Sequence, residues 1–159
     1  MTVSNIIQPD WCLSTGRGAS DNPVRALCST RQGGRSSGAW DSNNLALHVD
    51  DSEAVVLGNR RHFIQEHQIP EQVQWLNQIH GTNVIEASSA TVDTVPNADA
   101  CWTTETDVVC CVMTADCLPV LFSDEAGTVV AAAHAGWRGL AHTIHVQETV
   151  PLAKRQPES

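Results

Sequence analysis

The sequence predicts a mixed α/β fold of the α+β kind, with mixed β-sheets flanked by helices. One observation is a capped stretch of helical periodicity bounded by a proline, Ser52 to Pro70. Another is a succession of three apolar, β-branched runs between Val108 and His134, each closed by turn residues. No self-similarity at solenoid periods competes with this reading.

Taken in order, residues 1–24 are polar and irregular apart from an apolar patch at Trp11 to Leu13. Val24 to Thr30 reads as a strand. Arg31-Gln32-Gly33-Gly34-Arg35-Ser36-Ser37-Gly38 behind it is a loop by composition, either a plain connection or, with two arginines, an anion contact. Ser52 is the expected N-cap of a helix from Glu53 to Glu66, with Asp50, Asp51 and Glu53 at its positive end and Pro70 beyond its finish. Val56 with Phe63 and Leu57 with Ile64 repeat at seven residues, so one stripe of this helix is expected to be buried. Gln72 to Ile79 and Asn83 to Ala87 read as strands separated by His80-Gly81-Thr82, which places His80 at a strand end. Val108 to Met113, Leu118 to Ser123 and Thr128 to His134 read as buried strands. Asp124-Glu125-Ala126-Gly127 forms the turn between the last two. After the glycine-rich turn at Ala135 to Gly139, a helix is expected from Leu140 to Val150, stopped by Pro151.

A length of 159 residues suits one compact domain, expected over residues 1–159. The net charge of −9 opposes binding to nucleic acid, which is normally met by clustered Lys and Arg. The basic pairs Arg60-Arg61 and Lys154-Arg155 read as solvated helix faces. No segment approaches the ~20 apolar residues that span a bilayer, and the N-terminus lacks a secretory pattern. A soluble cytoplasmic protein without membrane partners is therefore expected. The six cysteines have no framework spacing, which fits reduced thiols used mostly as small core hydrophobes.

Two of the polar residues in this second half suggest chemistry. A two-residue turn of Glu125 and Ala126 sets Cys117 directly opposite His134, at ~4.5–5.5 Å across one sheet face. Such a thiolate and imidazole can share one metal ion. If instead Gly127 adopts the left-handed conformation as a bulge, the pair is offset. Both turns are open, as are the plainer readings of a packing cysteine and a satisfied histidine, and a third reading in which His134 activates Cys117 as a nucleophile without any metal. Zinc-finger, metzincin and nucleobase-deaminase motifs are absent, and the spacing of a blue-copper site is not met.

Several segments, in order, resemble the YfiH-like, or laccase-domain, family. They are Ser29-Thr30-Arg31 with Gly33-Gly34, Asn44-Leu45, His48-Val49-Asp50-Asp51 and Asn59-Arg60, then Trp75-Leu76-Asn77-Gln78-Ile79-His80-Gly81. The two most distinctive are Thr114-Ala115-Asp116-Cys117-Leu118-Pro119-Val120-Leu121 and Ala133-His134-Ala135-Gly136-Trp137-Arg138-Gly139. The resemblance implies a YfiH-like fold and a metal, zinc with copper as the alternative, on His80, Cys117 and His134. Three protein ligands leave a coordination position open, the pattern of a catalytic rather than a structural site. It also implies phosphorolysis of adenosine, inosine, guanosine or methylthioadenosine and deamination of adenosine, with a purine nucleoside and phosphate as partners. Copper-dependent polyphenol oxidation and peptidoglycan editing by a Cys/His hydrolase are further activities of the same family. The residues alone leave these open, together with an inactive metal-binding fragment. Arg31 is the candidate phosphate cation, acting beside Cys117 in catalysis, and Asn44 and His48 are weaker candidates for substrate contact; loop-structuring hydrogen bonds are the plain alternative for all three. The family pattern continues past the last glycine-rich turn, whereas this sequence stops at Ser159, so a domain lacking its C-terminal part is expected.

Overall fold

In a computed structural model, residues 5–8 and 24–136 are described. The apolar patch at Trp11 to Leu13 and the expected helix from Leu140 to Val150 lie outside them. The chain divides into two compact units, one holding residues 1–12 and 25–69, the other residues 13–24 and 70–159.

In the first unit, β1 (Ile6–Ile7) pairs antiparallel with β2 (Cys28–Ser29), so the strand expected over Val24 to Thr30 shrinks to two residues. The helix α1 runs over Glu53–Glu66, the bounds read from its caps. Ser52 caps it through its backbone carbonyl, which accepts from Val55 and Val56 N–H, and its side chain makes no cap bond. The inward stripe is Val56, Asn59 and Phe63 rather than the expected pair of apolar columns, and Leu57 is exposed. Asn59 is the reason. Its amide reaches Ser36 Oγ and the Asn44 carbonyl and accepts from Arg35 N–H, so the helix is seated on the 31–51 loop by polar contacts. Gly34 is where that loop comes closest to itself, since a Cβ there would stand 2.3 Å from the Ser42 carbonyl oxygen.

The second unit is built on a four-stranded sheet in the order β4 (Val84–Glu86), β5 (Ala100–Thr103), β8 (Val130–Ala135), β7 (Leu118–Ser123). β4 and β5 are parallel, and the two later pairings are antiparallel. β3 (Gln72–Gln74) and β6 (Val108–Cys110) form a separate parallel pair. The central strands are apolar on both faces. Ala100, Val129, Ala131 and Ala133 pack on one side, with Trp102 and Phe122; Cys101, Leu76, Ala87, Ala98 and Val108 pack on the other. Strands buried on both faces read as unbroken apolar runs, which is why alternation is faint here. β5 was not expected from the sequence, and β3 ends at Gln74, well short of Ile79. Among the described residues, mixed sheets with one α-helix bear out the α+β fold class.

Candidate metal centre

His80, Cys117 and His134 come together in the second unit, their ligand atoms all within 4.8 Å of one another. The hairpin brings them there differently from either expected turn. Ser123 pairs with Val130 and Leu118 with Ala135, which sets Pro119 opposite His134 and leaves Cys117 just before β7. The cause is Asp124. Its carboxylate accepts from Thr128 N–H, Thr128 Oγ1 and Val129 N–H, holding together a loop of residues 124–129 between the paired positions, with Gly127 left-handed at φ 69 within it. Those bonds hold the Asp124 carboxyl below its ordinary range even though desolvation pushes the other way. Cys117 and His134 therefore meet diagonally on one face. The residue opposite Cys117 is Gly136, and a Cβ there would come within 3.3 Å of both Cys117 Sγ and His80 Cδ2.

His80 arrives from a bend rather than a strand end. It is left-handed at φ 58, and its ring stands edge-on to that of His134 with centroids 4.8 Å apart. The segment that carries it is clamped from both sides. Gln78 donates to the Met113 carbonyl and accepts from Met113 N–H, and Asn77 pairs with the 96–98 stretch through Pro96 O and Ala98 N.

Beneath the three lies Asp99, which is fully buried and was not among the residues singled out from sequence. Its Oδ1 accepts from His80 N–H at 2.9 Å and stands 3.0 Å from His134 Nδ1. Its Oδ2 accepts from Gly81 N–H at 2.7 Å and Ile79 N–H at 3.3 Å. The one signal in the sequence is an acid set among small apolar residues, Ala98-Asp99-Ala100-Cys101, since a buried charge is normally paired or hydrogen-bonded.

Burial grades across the site, with His80 exposed, Cys117 half-buried and His134 buried, so one side faces solvent. The Cys117 thiol is raised above its ordinary range, by desolvation first and then by the Asp116 carboxylate. One sulfur and two imidazole nitrogens suit zinc or copper chemically. An ion held by all three would draw these donors closer together than the limit of 4.8 Å within which they stand. The side-chain-free Gly136 leaves room for that closure. The donor set and the cradle both fit a metal.

The other candidates belong to the first unit. Arg31 donates from Nε to the Asp41 carbonyl, and Asn44 is bonded to Asp51 Oδ2 and to both backbone groups of Ala46. His48 is exposed. Hydrogen bonds from Asn44 and Ser36 hold the Asp51 carboxyl below its ordinary range.

Comparison with known proteins decides the family. A model described as multi-copper polyphenol oxidoreductase laccase matches residues 25–159. The chain belongs to this laccase family. A purine nucleoside phosphorylase of Pseudomonas aeruginosa is 46% identical over 135 residues, covering 85% of the chain and 51% of the relative. Purine nucleoside phosphorylase YfiH of Escherichia coli is 41% identical over 157 residues, 99% of the chain and 61% of the relative. The crystal structure of Neisseria meningitidis protein NMB0706 superposes with a TM-score of 0.75 at 46% identity, covering 92% of the chain and 56% of that structure. The laccase-domain chain thus spans about half to three-fifths of the proteins it matches. The resemblance to YfiH proteins read from the motifs is borne out.

Proposed function

We propose that the chain, read as a single laccase-type domain, carries the metal centre of a zinc-dependent purine nucleoside phosphorylase acting on adenosine, inosine, guanosine and methylthioadenosine, with deamination of adenosine as a second reaction. The observation that carries this reading is the convergence of His80, Cys117 and His134 on one point. The names of the relatives support the reaction class.

Those three residues would hold the ion. When bound, it supplies a Lewis acid and lowers the pKa of a coordinated water, the chemistry that deamination needs. Phosphorolysis forms a bond from a phosphate oxygen to the ribose C1′ and breaks the glycosidic bond, whose electron pair leaves with the purine. Arg31 is the proposed phosphate cation: its bond to the Asp41 carbonyl fixes one edge of a guanidinium whose fork suits paired phosphate oxygens. His48 is the proposed nucleoside contact. Asn44 is proposed to act beside it, by shaping the loop through Asp51 and Ala46. No described helix is long and apolar enough to cross a membrane. We place the protein in the cytoplasm, with nucleoside and phosphate rather than nucleic acid or lipid as its partners.

Elemental analysis of freshly purified protein tests the centre. One zinc per chain, lost in Cys117→Ala, is the expected result. Incubation with adenosine and phosphate should then yield adenine by phosphorolysis and inosine by deamination, and Arg31→Ala should raise the KM for phosphate by roughly tenfold or more. Copper with phenol oxidation would replace this reading by polyphenol oxidation. Metal-free protein with a reactive Cys117 would replace it by a Cys/His hydrolase, and bound zinc without turnover by an inactive metal-binding fragment.

A further inference from the structure

We propose that Asp99 is the positioning residue of this centre, its one buried carboxylate setting both imidazoles: it fixes the tautomer of His134 and holds the turn that presents His80. The inference rests on the metal-centre reading above.

The two functions follow from how its oxygens are used. Three backbone N–H groups and one imidazole nitrogen converge on two carboxylate oxygens, with His80 N–H and His134 Nδ1 on Oδ1, and Ile79 and Gly81 N–H on Oδ2. A carboxylate accepts and cannot donate, so His134 Nδ1 must carry the proton, and Nε2 is left with a lone pair for an ion. The pairing is part of the sheet: one step beyond β5 the register sets Asp99 against His134, and His134 N–H donates to the Asp99 carbonyl at 2.7 Å. The ring and the carboxylate are 4% and 0% exposed, so water does not compete for the bond. On the other oxygen the hold is on backbone. His80 sits at φ 58, a left-handed conformation that is unfavourable for a residue with a side chain. Three consecutive N–H groups at 79–81 gathered on one carboxylate offset that cost and fix the direction in which the His80 ring leaves the chain. Carboxylates that orient metal-binding histidines through the second ring nitrogen are a general device, and their loss commonly lowers metal affinity by about 10–100-fold.

A purely structural Asp99 would be equally buried, and Asp99→Asn separates the two roles. With its oxygen at the Oδ1 position, the Asn amide faces the N–H groups of Ile79 and Gly81 and opens the His80 turn. With its oxygen at the Oδ2 position, the amide faces His80 N–H and donates to His134 Nδ1, which drives the proton to Nε2 and removes the ligand lone pair. Either way an imidazole is lost to the ion.

Cobalt(II) titration of the metal-free full chain, read by the thiolate charge-transfer and d–d bands, should give a wild-type site with sulfur ligation. Affinity should fall about 10–100-fold in Asp99→Asn. Long-range proton–nitrogen NMR of the metal-free wild type, with His134 assigned through His134→Gln, should show the Nδ1–H tautomer. Equal cobalt affinity in wild type and a folded Asp99→Asn, or an Nε2–H tautomer of His134 in the wild type, overturns the role of Asp99 and leaves the centre standing. A wild type that takes up neither cobalt nor zinc overturns the centre itself. If Asp99→Asn does not fold, the wild-type tautomer decides alone.

Discussion

Gly136 occupies the space that any other residue would fill with atoms the centre needs for itself. Its hypothetical Cβ stands 3.3 Å from Cys117 Sγ and from His80 Cδ2, closer than ordinary carbon contacts allow without movement. Closure around an ion draws the same groups inward, so Gly136→Ala should weaken zinc or cobalt binding by about tenfold or more while barely changing the melting temperature of the metal-free protein; the comparison needs only a titration and a thermal scan. At this scale the three residues that converge were legible because each sits in a motif whose neighbours are also distinctive. Asp99 and Gly136 were not. Their roles depend on register, on which residue faces which across β5, β8 and β7, and neither composition nor spacing encodes that. Arg31 and Asn44 show the converse: the loop-structuring bonds weighed as their plain alternative are present.

The β7–β8 hairpin shows how one side chain resets an element. Asp124 binds three donors in its own loop, so Asp124→Ala should cost about 1–3 kcal/mol in denaturant unfolding at neutral pH. The pH dependence has a definite sign. The folded carboxyl lies below its ordinary 3.8, so its stabilisation is complete above about pH 5 and disappears as pH falls through the lowered value. The difference between wild type and Asp124→Ala should therefore shrink in acid, and a constant difference down to pH 2.5 would contradict the assignment. Turn composition located this loop, but not the carboxylate bonds that set its length, so both expected registers missed. The ends of α1 and β7 were legible because charge, caps and prolines mark them locally. β5 escaped because Ala100-Cys101-Trp102-Thr103 is only four residues long and opens on alanine directly after Asp99; it is paired on both sides, by β4 and β8.

Across the second unit, alanines line the centre of the sheet. Ala132 is 1% exposed and faces Cys101 and Leu121 on its neighbouring strands. Ala132→Val should overpack it and cost about 1–3 kcal/mol, measurable as a lower urea midpoint with an unchanged slope. The mixed fold class was legible at this level because runs of apolar β-type residues and one capped helix survive any error in register. The partition of the chain into two units was not, since no proline-rich or charged linker marks it.

The convergence of residues 80, 117 and 134 would also tie the proposed metal centre to folding. These side chains belong to segments that are strangers in the unfolded polypeptide, so an ion gripping all three binds the native form and ignores the denatured one. At free zinc a thousandfold above its dissociation constant, that preference is worth about 4 kcal/mol. A chelator should thus lower the melting temperature by several degrees, and Cys117→Ala should be insensitive to it: scarcity of metal would deplete the folded protein as well as silence it.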